Sequence, residues 1–134
     1  MSNDIEGYLG NPLLKKSNQD IEWTPELLEE YMKCQNDVVY FTETYMKIIN
    51  VDEGLVSFKL YDYQKRMLES FQNNRNTIVT TARQAGKSTT TCAFILWYVL
   101  FNKEVNVALL ANKGDTAREI LGRIQLAYQH LPKW

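Results

Sequence analysis

The sequence predicts an α/β fold in which a parallel sheet carries helices on its faces. Residues 77–81 (Thr-Ile-Val-Thr-Thr) and 105–111 (Val-Asn-Val-Ala-Leu-Leu-Ala) are short β-branched or apolar runs, as buried parallel strands are. Each is followed by a polar loop and then a helical pattern. The order strand, loop, helix, strand, loop, helix reads as a βαβα unit, and such units pair their strands in parallel.

A helical subregion precedes that unit. Residues 1–22 hold Gly7, Gly10 and Pro12 with few apolar groups and no period, and read as a flexible arm. Thr24 as N-cap and Pro25 at the first helical position predict a helix carrying Leu27, Leu28, Tyr31 and Met32 at helical spacing. A second helix is predicted from residue 37 to about 48, with Val38, Phe41, Tyr45 and Ile48 on one side. Asp52-Glu53-Gly54 predicts a turn, and residues 55–60 alternate as a short strand does. A third helix is expected over 61–74, with Gln64, Met67, Leu68 and Phe71 on one face, ending in the polar cluster 72–76.

In the second half, residues 87–101 are apolar nearly all round and predict a helix buried in a core. Thr116-Ala117-Arg118-Glu119 fits a capping box that would open the last helix. Its stripe is Ile120, Leu121, Ile124, Ala127, Tyr128 and Leu131.

Composition bounds the partners. The 134 residues suit one small domain, and 45% apolar content with eight Tyr, five Phe and three Trp supplies a core. A net charge of −1 excludes a wide basic surface for nucleic acid, so DNA contacts would be local or supplied by an assembly. Lys15-Lys16 is too short to form such a patch. Cys34 and Cys92 have no Cys-x-x-Cys or Cys/His spacing and are expected as buried free thiols in a reducing compartment. The N-terminus lacks a basic start followed by an apolar run, and the longest apolar run, 92–101, is about half a membrane span. A cytoplasmic-type chain is expected. His130 stands near a helix end, where a dipole contact suits it better than catalysis.

The chemistry gathers at the junction of the first strand and its helix, Thr81-Ala82-Arg83-Gln84-Ala85-Gly86-Lys87-Ser88-Thr89. The pattern G-x-x-x-x-G-K-[ST] cradles nucleotide phosphates, and here Thr81 replaces its first glycine, so the strict motif fails. Gly86 would let the backbone approach the phosphates, while successive N–H groups and the helix N-terminus face the anion. Lys87 would set an ammonium on the outer phosphates, and Ser88 would offer a hydroxyl to Mg²⁺. The expected fold is therefore a P-loop NTPase, and the expected ligands are ATP and Mg²⁺.

Neighbouring residues leave alternatives open. Arg83 either reaches the γ-phosphate as an arginine finger from within the chain or is a solvated loop arginine. Tyr63 and Gln64 either stack on and hydrogen-bond an adenine, or Gln64 is an exposed first-turn residue. Asn112-Lys113-Gly114-Asp115 either touches DNA or relays the nucleotide state, or is a turn with a helix cap.

These residues resemble the large terminase subunit of T4-like tailed phages, the ATP-driven motor that packages viral DNA into the prohead. The resemblance runs from about Trp23 to the end: Trp23-Thr24, Asp37-Val38-Val39-Tyr40-Phe41 with Glu43-Thr44-Tyr45, Tyr63-Gln64, Arg83-Gln84-x-Gly86-Lys87, Phe101-Asn102-Lys103, and Leu109-x-Ala111-x-Lys113-Gly114. It implies a RecA/helicase-like ATPase sheet, with Tyr63 and Gln64 in the adenine motif. It places Arg83, Gly86, Lys87 and Ser88 in a deviant phosphate loop whose internal arginine serves hydrolysis. It implies the rest of the large subunit, the small subunit, the portal and prohead, and double-stranded DNA as partners within the motor. The setting would be the host cytoplasm, transiently at the portal. Family members continue into a Walker B strand ending in acidic residues and then a nuclease domain. Residues 23–134 are thus expected to be the N-terminal portion of the ATPase domain, inactive alone. A helicase-type ATPase fragment and a non-catalytic nucleotide-binding or interaction module are the competing readings.

Overall fold

Thr24 opens the first helix, as its sequence implies. In the computed structural model, which describes residues 7–134, α1 spans Pro25–Asn36 and the Thr24 hydroxyl accepts from the Leu27 N–H. Helix α2, Val38–Tyr45, follows at once, and the Asp37 carboxylate between them accepts from the Val39 and Tyr40 N–H groups at 2.9 and 3.0 Å. Residues 7–22 contain one 3₁₀ turn, Tyr8–Gly10, and the Tyr8 N–H donates to the Leu14 carbonyl. The part of the expected arm at residues 1–6 lies outside the described residues.

The second helix is shorter than its periodicity suggests. The Met46 N–H closes its last turn on Thr42, while the Met46 carbonyl accepts from the Phe58 N–H and the chain leaves as a strand. That strand, β1 (Lys47–Asn50), pairs antiparallel with β2 (Gly54–Ser57) in the register Lys47 to Ser57 and Asn50 to Gly54. Ile48, expected on the helix, therefore stands opposite Val56. β-branched Ile48 and Ile49 suit a pleated strand better than another helical turn.

Helix α3 (Asp62–Asn73) buries Gln64, Met67 and Leu68, and Phe71 is partly covered, on the expected face. At its far end Gln72 donates to the Asn36 carbonyl at 2.7 Å and accepts from the Val38 N–H at 3.3 Å. One amide thus holds the α1–α2 junction.

Helix α4 (Lys87–Phe101) buries Thr90, Cys92, Ala93, Leu96 and Trp97, whereas Tyr98 and Val99 are exposed on its other flank. Burial of a Leu96-sized side chain contributes about 1.5–3 kcal/mol. The Trp97 indole donates to the Cys34 carbonyl at 2.8 Å, a buried polar tie between α4 and α1. Phe41, Phe101, Tyr31, Tyr45 and Trp134 meet edge to face around the same end of the core. Both cysteines are buried free thiols, and burial pushes the Cys34 thiol up to about 11.

Helix α5 (Gly114–Gln129) packs on α4 through Ile124 and Ala127, while Leu121 and Tyr128 of the expected stripe are exposed. The capping box placed at Thr116–Glu119 is not formed. The helix starts earlier, with Lys113 at the N-cap, no side-chain cap, and Asp115 in the first turn paired to Arg118 at 2.9 Å. An acidic residue in the first turn meets the positive end of the helix dipole, which favours the earlier start. His130 lies just past the helix, its Nδ1 2.8 Å from the Leu126 carbonyl.

The expected strands at 77–81 and 105–111 form no ladder among the described residues, whose sheet is the two-stranded β1–β2 hairpin. Neither segment makes a backbone hydrogen bond to another segment among those residues. Parallel strands draw their order from hydrogen-bonded neighbours on either side, and β-branched composition alone cannot replace them. Ile78 and Leu110 are each 95% exposed there.

Candidate functional site

Residues 82–86 connect the 77–81 segment to α4. Gln84 and Gly86 both adopt left-handed backbone, at φ of 61° and 71°, and Ala85 between them does not. Alternating handedness of this kind turns successive N–H groups to one side, the geometry of an anion nest. Gly86 is also the N-cap of α4, and the first ladder bond of the helix runs from Thr90 N–H to the Gly86 carbonyl at 3.0 Å. The N–H groups of Lys87, Ser88 and Thr89 precede that bond and have no carbonyl within the helix. They point out of its positive end.

Side chains sort themselves around this opening. Thr90 and Thr91 turn their hydroxyls back to the Gly86 and Lys87 carbonyls at 2.9 and 2.8 Å, which occupies them inside the helix. Ser88 is exposed, and so are Arg83 and Gln84. The Lys87 ammonium folds back toward the Ala82 carbonyl at 3.5 Å, across the mouth of the loop. Thr89 accepts from Arg123 of α5 at 3.3 Å, and Arg123 is itself paired to Glu119 at 2.8 Å.

The first turn of α3 completes the surround. The Tyr63 hydroxyl donates to the Ala85 carbonyl. Gln64 is only 3% exposed, and a Cβ added at Gly86 would lie 2.7 Å from its Nε2. Its Oε1 accepts from the Tyr61 N–H at 2.9 Å. Gln64 is therefore a buried brace between α3 and the loop, and the exposed first-turn reading of it does not hold. A glycine at 86 leaves room for the brace.

All nine residues singled out from the sequence thus lie together: Tyr63 and Gln64 on α3 touch the loop that carries Arg83, Gln84, Ala85, Gly86, Lys87, Ser88 and Thr89. Asn112 to Asp115 supplies the start of α5, a turn running into a helix. Sequence reasoning missed Tyr61 and Arg123. The Glu119–Arg123 spacing marks a helical ion pair, but nothing local announces that Arg123 reaches across to Thr89.

The family described as terminase large subunit, T4likevirus-type, N-terminal, matches residues 78–131. Over these residues the chain is similar to that family, which supports reading them as a fragment of a T4-like large terminase subunit. The matched stretch takes in the whole loop, α4 and α5, which are elements that form the opening just described. Among the described residues, no helix is long and apolar enough to cross a membrane.

Proposed function

We propose that this terminase segment binds the phosphates of ATP as the nucleotide-binding part of a motor that packages viral DNA. The observation that carries the reading is the start of α4: a loop with left-handed Gln84 and Gly86 runs into three free helix N–H groups flanked by Lys87 and Ser88. Free donors, a helix dipole and a cation converge on one point, which suits an anion of high charge. The family match over the same residues supports a terminase-related role for it.

Lys87 and Arg83 supply the mobile positive charge, and the backbone supplies the fixed donors. Among the described residues no group of three His, Cys, Asp or Glu side chains could hold a metal by itself. A hard cation such as Mg²⁺ fits instead through the exposed Ser88 hydroxyl together with the ligand's own phosphate oxygens, and would neutralise their charge there.

Titration calorimetry with Mg-ATP tests the reading. Lys87→Ala is expected to weaken binding tenfold or more, about 1.4 kcal/mol or beyond, with the folding midpoint nearly unchanged. Lys87 contributes charge at the loop and no core contact. Equal affinities for the two proteins would sink the assignment.

A further inference from the structure

A cavity of about 200 Å³ opens where the end of α4 meets residues 13–15 and the segment that follows α5. It lies at the opposite end of α4 from Gly86, about 20 Å away at the helical rise of ~1.5 Å per residue. Its walls are aromatic. Phe41 and Phe101 cross at 86° with centroids 5.6 Å apart, Tyr31 and Phe101 at 62° and 5.1 Å, and Tyr45 and Trp134 at 86° and 5.6 Å. Rings crossed so steeply cannot close into a stack, and a gap remains between them. The Tyr45 hydroxyl donates to Glu30 at 2.7 Å, so that residue offers the cavity its ring and not its hydroxyl. Two cations, Lys15 and Lys133, stand among the walls, and no carboxylate does. Neither lysine is in an ion pair among the described residues.

We propose that this cavity is a second binding site, for a small aromatic carboxylate whose ring enters between the crossed walls and whose acid group meets Lys15 and Lys133. It is independent of the phosphate reading above, for it shares no residue with the loop. Size selects a single ring. An apolar cavity of roughly 150 Å³ takes benzene, so about 200 Å³ leaves room for one ring and a short acidic arm. The walls select an aromatic body, because a flat ring can turn its face to one wall and its edge to the next, and such pairs contribute beyond the area they bury. Charge selects the acid. An aromatic cage by itself suits a cation, but two ammonium groups with no carboxylate beside them repel a cation and attract an anion. Lysine serves such a rim well, since its stem can lie along apolar surface while its head stays in water.

Titration calorimetry with 3-phenylpropanoate tests the site against three controls. These are 3-phenylpropanamide, which keeps the ring without the charge, hexanoate, which keeps the charge without the ring, and phenethylammonium, which reverses the charge. The aromatic carboxylate is expected to bind with a Kd of about 1 mM or below, the amide and hexanoate about fivefold more weakly or worse, and phenethylammonium not measurably. Lys15→Gln combined with Lys133→Gln changes no residue of the core, so the variant is expected to fold as the wild type does. It is expected to weaken the carboxylate about fivefold, to the level of the amide, and to leave amide affinity within about twofold. Saturating Mg-ATP is expected to leave phenylpropanoate binding unchanged. Amide binding as tight as the carboxylate overturns the proposal, as does hexanoate binding as tight as the aromatic acid. Carboxylate affinity that survives the double substitution, competition by Mg-ATP, or no binding up to about 10 mM overturns it as well. None of these outcomes touches the phosphate reading, which the Lys87→Ala titration decides.

Discussion

Gly86 carries a double constraint. Its φ of 71° favours glycine, and a Cβ there would meet Gln64 Nε2 at 2.7 Å. The left-handed backbone alone costs an L side chain about 1–2 kcal/mol. The crowding adds less, because the Gln64 side chain can swing aside to relieve it at the expense of the hydrogen bond it accepts from the Tyr61 N–H. Gly86→Ala is therefore expected to lower stability by about 1–2 kcal/mol in urea unfolding. An unchanged midpoint would mean that the loop relaxes freely and is no rigid cradle. Gln84 bears similar strain at φ 61° without being glycine. Non-glycine residues held there concentrate at sites where the backbone conformation itself is needed.

Between elements, the contact with the clearest electrostatic signature joins α1 to α2. The hydroxyls of Tyr40 and Tyr45 both donate to Glu30 Oε1 at 2.7 Å. The hydrogen bond from Tyr45, then that from Tyr40, holds the Glu30 carboxyl below its ordinary 4.5. Burial first, and then the bond to Glu30, pushes the Tyr45 phenol up from its ordinary 10. A depressed carboxylate contributes stability that is present above its unfolded value and lost as pH falls through the folded one. The melting temperature is thus expected to hold through neutral pH and to fall as pH drops below 4.5. Glu30→Gln is expected to lower the melting temperature at neutral pH and to flatten that acid limb, since charge-assisted bonds are the stronger ones. Thermal unfolding followed by circular dichroism over the acid range checks both. An acid limb of the same depth in Glu30→Gln would assign it to other carboxylates.

At the scale of the whole molecule, the loop stands at the edge of a fold whose neighbouring segments, 77–81 and 105–111, have no ladder partners among the described residues. Arg83 is exposed on that loop. We propose that it serves hydrolysis more than binding. A guanidinium can meet charge that develops on the transferred phosphoryl oxygens, an interaction stronger in the transition state than in the ground state. In a full-length terminase motor carrying this segment, Arg83→Ala is expected to lower turnover about 10³-fold or more while ATP affinity shifts only a few-fold. Steady-state phosphate release and equilibrium ATP binding, measured on the same preparation, decide it. Collapsed affinity with normal turnover per bound ATP would make Arg83 a binding residue.

What the sequence determined by itself is what local chemistry can specify. Thr24 and Pro25 set the start of α1, and the apolar run sets α4 at Lys87–Phe101. The face of α3 follows from its period, and Gly86-Lys87-Ser88 marks the start of α4. Caps, periodicity and a left-handed glycine act within a few residues, so a single sequence displays them. Tertiary structure alone decided the rest. Residues 46–50 turn into a strand because Phe58 and β2 offer backbone partners, although the apolar spacing also fits a helix. Gln64 is a brace because Gly86 packs on it, and Tyr61 stacks on Tyr63 because it sits outside the helix, at ψ 158°. Within a helix, residues two apart would face away from each other. Arg123 reaches Thr89 only because α5 lies along α4. In each case the partner is distant in sequence, and the choice between conformations of similar local energy falls to the contact that the rest of the chain provides.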